Sequence, residues 1–159
     1  PPIKKLYNKP MKVTFLLGST SDQGFADKIA DVLKEFDIPS ETVVASAHKV
    51  PEMVVEVMDK LNADPQPQVV ITVVGMSNGL AGVAAASLVH PVINCPPYEN
   101  LEEYMVDIPS NLRYPSEVPS MTVLSPKNAA IAAAKILGEC DESIKQKVSE
   151  RIKAVKAKY

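Results

Sequence analysis

The stretch that decides the fold runs from Val69 to Cys95 and reads VVITVVGMSNGLAGVAAASLVHPVINC. Its first six residues form a β-branched, apolar run, the pattern of a strand buried on both faces of a sheet. "GMSNG" (75–79) breaks that run with two glycines around polar residues, a turn signal. "LAGVAAASL" (80–88) then has the small-residue composition of a packed helix, and "PVINC" (91–95) returns to a short strand. Strand, loop, helix and strand in that order make a βαβ unit with a right-handed crossover.

The same alternation continues on both sides. Upstream, "KVTFLL" (12–17) is a strand candidate. A helix follows in which Phe25, Ile29, Val32, Leu33 and Phe36 recur at helical spacing. "SETVVA" (40–45) is the next strand. Pro51 suits the first turn of a helix that Met53, Val54, Val57, Met58 and Leu61 carry on. Downstream, "MTVL" (121–124) is the last strand, and two helices close the chain, "PKNAAIAAAKILG" and "DESIKQKVSERIKAVKAKY". The predicted fold is α/β: a three-layer α/β/α sandwich with a doubly wound parallel sheet of about five strands, flavodoxin- or Rossmann-like, with C-terminal helices. Residues 1–11 read as an N-terminal arm and residues 12–159 as a single domain. The proline-rich span 96–120 carries no regular pattern and is expected to be a long functional or interface loop.

Composition narrows the function. The chain has 159 residues, 46% hydrophobic and 23% charged, with a net charge of −2. That balance gives no reason to expect a nucleic-acid or anionic-membrane partner. The lack of tryptophan and the 5% aromatic content also argue against base-stacking surfaces. No apolar run approaches the roughly 20 residues of a membrane span. "PPIKKLYNKP" lacks the apolar core of a signal peptide, and Cys95 and Cys140 are far apart, so a reduced, cytoplasmic setting is expected. The sequence does not begin with methionine, which leaves room for fusion to a second enzyme.

In an open parallel sheet, ligands bind beyond the carboxyl ends of the strands. The loops leaving the first three strands are "GSTSD" (18–22), "SAHK" (46–49) and "GMSNG" (75–79). Each leads toward a helix N-terminus, where free N–H groups favour a phosphate. Ser19, Ser21 and Ser46 add hydroxyl donors, and Asp22 suits ribose hydroxyls. His48 would then stand beside the ligand as a group able to give and take a proton. Each loop also has a plainer reading. "GSTSD" equally suits a turn with an N-cap, His48 a surface or capping histidine, and "GMSNG" a turn. Their convergence at one sheet edge is what favours a site. His90 falls at the opposite edge and reads as structural, Cys95 as a buried thiol. Ile144, Val148, Ile152 and Val155 form a helical stripe that suggests packing on a neighbouring subunit.

"GSTSD", "SAHK", "GMSNGLAGV", "PVINCPP", "SNLRYPS" and "TVLSPKNAAIAAAKIL", in that order, resemble the phosphoribosylaminoimidazole carboxylase (PurE-type) family of purine biosynthesis. The resemblance spans residues 12–138. The family has two classes. Class I mutases move a carboxylate from the exocyclic nitrogen of N-carboxyaminoimidazole ribonucleotide to the ring carbon, and typically read "SAHR", "AAHLPG" and "VQMP". Class II carboxylases join aminoimidazole ribonucleotide and carbon dioxide directly. "SAHK", "SNGLAG" and "LRYP" resemble class II at all three places. Gly79 stands where class I has a second histidine, and Met76 where class II usually has arginine.

The resemblance implies an enzyme, a carboxy-lyase that needs no cofactor or metal. Ser19, Ser21 and Ser46 would hold the phosphate, Asp22 the ribose, and His48 would be the general acid/base. Gly75, Met76 and Ser77 would frame the aminoimidazole, while Asn78, Gly79 and Leu80 would lie along the carbon dioxide pocket. Lys49 and Arg113 would be class-marking cations. It further implies a homo-octamer with sites at subunit boundaries. The alternatives on the same fold are the class I mutase and a non-catalytic ribonucleotide-binding regulator.

Overall fold

Strand β3 (Gln68–Val73) is buried at every position and forms the centre of the sheet in a computed structural model that describes residues 11–159. Strand β1 (Lys12–Leu17) lies on one side of it and β4 (Val92–Asn94) on the other. Strand β2 (Ser40–Val44) pairs with β1, and β5 (Met121–Thr122) with β4. The order is β2-β1-β3-β4-β5 and every pairing is parallel, with Leu17 level with both Val44 and Val73. This is the flavodoxin-like doubly wound arrangement expected from the alternating pattern, and it reverses direction between β1 and β3.

The period of two along each strand sorts the core into two layers. Val13, Phe15 and Leu17 of β1, with Val69, Ile71 and Val73 of β3, point toward α1 (Gln23–Lys34), α6 (Pro126–Gly138) and α7 (Glu142–Lys156). Leu16, Val70 and Val92 point the other way, toward α2 (Pro51–Ala63) and α3 (Gly79–Ser87). Both faces are covered, so the central strands show no polar alternation. Each fully buried leucine, valine or phenylalanine contributes about 1.5–3 kcal/mol. Alanines of α6 (Ala129, Ala130, Ala133, Ala134) let that helix settle close to the sheet. Pro51 occupies the first turn of α2, as its sequence position implies.

Met11, read with the arm, is buried in the core, and residues 1–10 lie outside the described residues. Two expectations are corrected. The span 96–120 is not one irregular loop, because α4 (Leu101–Asp107) and α5 (Pro109–Leu112) occupy its middle. Asn100 caps α4 by accepting from the Glu103 N–H at 2.9 Å. Half of the stripe on α7 packs on its own chain: Ile144 and Val148 are buried in the core, while Ile152 and Val155 are exposed. Lys147 pairs with Asp37 at 2.6 Å, and Arg151 pairs with Glu35 while lying over the Phe36 ring, which fixes α7 to the end of α1. No helix among the described residues is long and apolar enough to cross a membrane.

Candidate active site

The loops after β1, β2 and β3 meet where the sheet reverses direction. In the first, Ser19 is extended (φ −151°) and caps the short 3-10 turn Thr20–Asp22 that opens into α1. Its Oγ accepts from the Ser21 N–H at 3.3 Å and from the Ser21 hydroxyl at 2.9 Å. Asp22 Oδ2 accepts in return from the Ser19 N–H at 3.1 Å, completing a capping box. The capping reading and the phosphate reading of "GSTSD" are thus compatible: the cap orders two hydroxyls at a helix entrance. Burial pushes the Asp22 carboxyl above its ordinary range, and the Ser19 N–H draws it part of the way back.

The second loop leaves β2 through the buried Ala45, and the Val50 N–H closes it onto the Ser46 carbonyl at 2.9 Å. Ser46 is half-buried, while His48 and Lys49 are exposed. The His48 imidazole rests against the third loop at Gly79. A Cβ on Gly79 would stand 3.2 Å from His48 Nε2 and 3.3 Å from Cε1, so the ring occupies the space a side chain there would need.

The third loop is held chiefly at Met76 and Asn78. Gly75 faces Pro97. Met76 takes a left-handed conformation (φ 59°), uncommon for a side chain of its size, and its N–H donates to Asp107 Oδ2 at 2.9 Å. Met76 and Ser77 are exposed. Asn78 is only 4% exposed, and its N–H donates to the Ser110 hydroxyl at 3.2 Å. Its Oδ1 accepts from the Ala81 N–H at 3.0 Å, capping α3. Its amide nitrogen donates to Asn94 Oδ1 at 2.7 Å and to Asn111 Oδ1 at 2.6 Å.

The structure therefore brings Ser19, Ser21, Asp22, Ser46, His48, Lys49, Gly75, Met76, Ser77 and Gly79 to one edge. Two residues expected along the pocket point elsewhere. The Asn78 side chain is engaged inside the protein, and the Leu80 side chain is buried in the core beside Leu16 and Val54. Arg113 follows α5 and is exposed; like Lys49, it makes no ion pair among the described residues. Its neighbour Tyr114 lies against Gly82 of α3. Cys95 is buried, its thiol pushed up to about 12, so it is not a thiolate at neutral pH. His90 sits at the far edge, its Nε2 3.0 Å from the Leu61 carbonyl. No group of three or more His, Cys, Asp or Glu side chains among the described residues is placed to hold a metal ion.

A family model described as AIR carboxylase matches residues 12–158, nearly the whole chain. The chain belongs to the AIR carboxylase family. Phosphoribosylaminoimidazole carboxylase of Archaeoglobus fulgidus is 41% identical over 138 residues, covering 87% of this chain and 75% of that protein. The Treponema denticola enzyme of the same name is 40% identical over 136 residues, covering 86% and 85%. A bifunctional human relative, phosphoribosylaminoimidazole carboxylase/phosphoribosylaminoimidazole succinocarboxamide synthetase, is 41% identical over 127 residues. That alignment covers 80% of this chain and 30% of the human protein, so the chain spans about a third of this animal relative. The crystal structure of Treponema denticola PurE superposes with a TM-score of 0.88 at 38% identity, covering 94% of each chain.

Four residues that hold the third loop escaped sequence reasoning: Asn94, Asp107, Ser110 and Asn111. A signal existed for two of them. An asparagine inside the strand "PVINC" needs a buried partner, and "SNLRYPS" holds a second amide.

Proposed function

We propose that the protein is a phosphoribosylaminoimidazole carboxylase of the class II type, joining aminoimidazole ribonucleotide and carbon dioxide reversibly to give carboxyaminoimidazole ribonucleotide. The observation that carries this reading is the seat of His48 on Gly79. Where the mutase pattern has a second histidine, this chain has a glycine, and the His48 ring fills the space above it. A single imidazole beside the ring is enough for the proton transfer that direct carboxylation needs. The curated relatives named phosphoribosylaminoimidazole carboxylase support the substrate class.

Ser19, Ser21 and Ser46 bind the phosphate and Asp22 the ribose. The aminoimidazole ring is an enamine-like nucleophile, so its ring carbon attacks carbon dioxide and a C–C bond forms. The ring carbon then bears both a proton and the new carboxylate. His48 takes the proton, and the electrons of the broken C–H bond restore aromaticity. In reverse, His48 delivers the proton and the C–C electrons return to the ring as carbon dioxide leaves. Such general acid/base assistance contributes typically about 10²–10⁴-fold. The exposed Ser77 hydroxyl of the third loop provides a polar contact for a small neutral molecule. The test is incubation with carboxyaminoimidazole ribonucleotide: release of aminoimidazole ribonucleotide and carbon dioxide is expected, and no turnover in either direction contradicts the reading.

Asp22 gives this site a pH signature. Its folded-state pKa is raised by burial, so the carboxylate that accepts from the ribose hydroxyls is lost at a higher pH than for an ordinary aspartate. Ribonucleotide affinity should fall as pH is lowered through that raised value. Asp22→Asn should flatten this limb in calorimetric titrations, leaving only the ligand's own phosphate ionisation. An unchanged limb in Asp22→Asn assigns the titration elsewhere.

We also propose that the protein assembles as a homo-octamer, in a cytoplasmic setting. Helix α4 leaves Leu101 72%, Met105 62% and Val106 78% exposed, an apolar surface that the described chain does not cover. Light scattering should give a mass near eight times 17.2 kDa; a monomer at micromolar concentration contradicts this.

A further inference from the structure

Behind the third loop lies a group of three buried side-chain amides, Asn78, Asn94 and Asn111, exposed by 4%, 0% and 0%. They come from the entrance of α3, the end of β4 and the middle of α5. Their hydrogen bonds admit one orientation. The Ala81 N–H can only donate, so Asn78 presents Oδ1 to it and must donate from Nδ2. The Asp107 carbonyl can only accept, so Asn111 presents Nδ2 to it at 2.9 Å and must accept at Oδ1. Asn111 Oδ1 receives both Asn78 Nδ2 and, at 2.8 Å, Asn94 Nδ2. Asn94 Oδ1 receives the other hydrogen of Asn78 Nδ2 and the Thr72 hydroxyl. Thr122 Oγ1 donates to the Asn111 carbonyl, anchoring that residue to β5. Every amide group has a partner, and a fully satisfied buried network fixes geometry.

The network lies directly beneath the residue that seats His48. Asn78 precedes Gly79, and Gly79 is the surface on which the imidazole rests. Asp107 and Ser110 hold Met76 and the Asn78 backbone from the same α4–α5 segment. We propose that Asn111, acting with Asn94 through Asn78, is a positioning residue that fixes the Gly79 seat and so the place of the His48 ring. Its effect on turnover rests on the reading of His48 as the proton carrier; its effect on the ring position does not.

The test uses the 159-residue chain with Asn111→Leu, Asn111→Asp and His48→Asn, each first shown folded by circular dichroism and thermal unfolding. The chain has only two histidines, so labelling histidine at Cε1 gives two ring resonances, and His48→Asn assigns them. In Asn111→Leu, the His48 resonance should move while that of His90 stays. Turnover should fall by about tenfold or more with KM within about threefold, since small misplacements of a catalytic group carry such losses. In Asn111→Asp, the carboxyl replaces the amide only when protonated, because it must donate to the Asp107 carbonyl. That variant should approach wild-type turnover at low pH and fall toward the leucine variant as pH rises. A folded Asn111→Leu with wild-type turnover and an unmoved His48 resonance overturns the proposal. If Asn111→Leu does not fold, Asn111→Asp decides: turnover that tracks wild type at every pH overturns it. Activity retained in His48→Asn would instead sink the proton-carrier reading, while the shift of the His48 resonance would still decide the coupling.

Discussion

Replacing His48 with asparagine is expected to lower turnover by at least about 10²-fold, the low end for a lost general base. Ribonucleotide affinity should stay within severalfold. Asparagine still offers a hydrogen bond at that position but cannot carry a proton at neutral pH. His48 is exposed, so the substitution should leave thermal unfolding nearly unchanged, within about 0.5 kcal/mol for a surface site. Steady-state decarboxylation of carboxyaminoimidazole ribonucleotide, with calorimetric binding of the product ribonucleotide, separates the two effects. Turnover within tenfold of wild type would remove His48 from the chemistry.

The second large effect belongs to Gly79→Ala, and its two consequences have opposite signs. Gly79 opens α3 and has no positive φ, so alanine there suits the helix and should stabilise the fold by up to about 1 kcal/mol. The added Cβ, however, would stand 3.2 Å from His48 Nε2, closer than ordinary contact, and the ring must yield. A displaced acid/base group loses its alignment with the ring carbon, and turnover should fall about 10–100-fold. Thermal unfolding and kcat measured on one preparation check both signs. A variant that is more stable and fully active would show that the His48 seat does not matter to the reaction.

The sheet was legible because its signal is local. The β-branched run of β3 and its alternation with helical segments need no partner to be recognised, and parallel topology follows from that alternation. The convergence of "GSTSD", "SAHK" and "GMSNG" follows from topology as well, and the structure places all three at one edge. Helix α4 was not legible for a physical reason. Its apolar residues Leu101, Met105 and Val106 face outward rather than into the core, so no buried stripe marks it. The roles of Asn94 and Asn111 were hidden differently. Their partners lie 16, 17 and 33 residues apart in the chain, and no local pattern reports a pairing that tertiary packing alone creates. Asn78 illustrates the limit of transferring a motif. It stands in the site loop, yet its side chain turns inward and supports the loop from behind.

The identity of the carbon donor is the most direct test of direct carboxylation. Aminoimidazole ribonucleotide is supplied with bicarbonate and carbonic anhydrase, and, separately, the N-carboxylated ribonucleotide is supplied with carbon dioxide swept away. The predicted result is enzyme-dependent formation of carboxyaminoimidazole ribonucleotide in the first reaction, rising with dissolved carbon dioxide. In the second, the N-carboxylated donor should disappear no faster than its spontaneous decay. Product formed only from the N-carboxylated donor, with none from carbon dioxide, would contradict direct carboxylation and assign the protein to the mutase class.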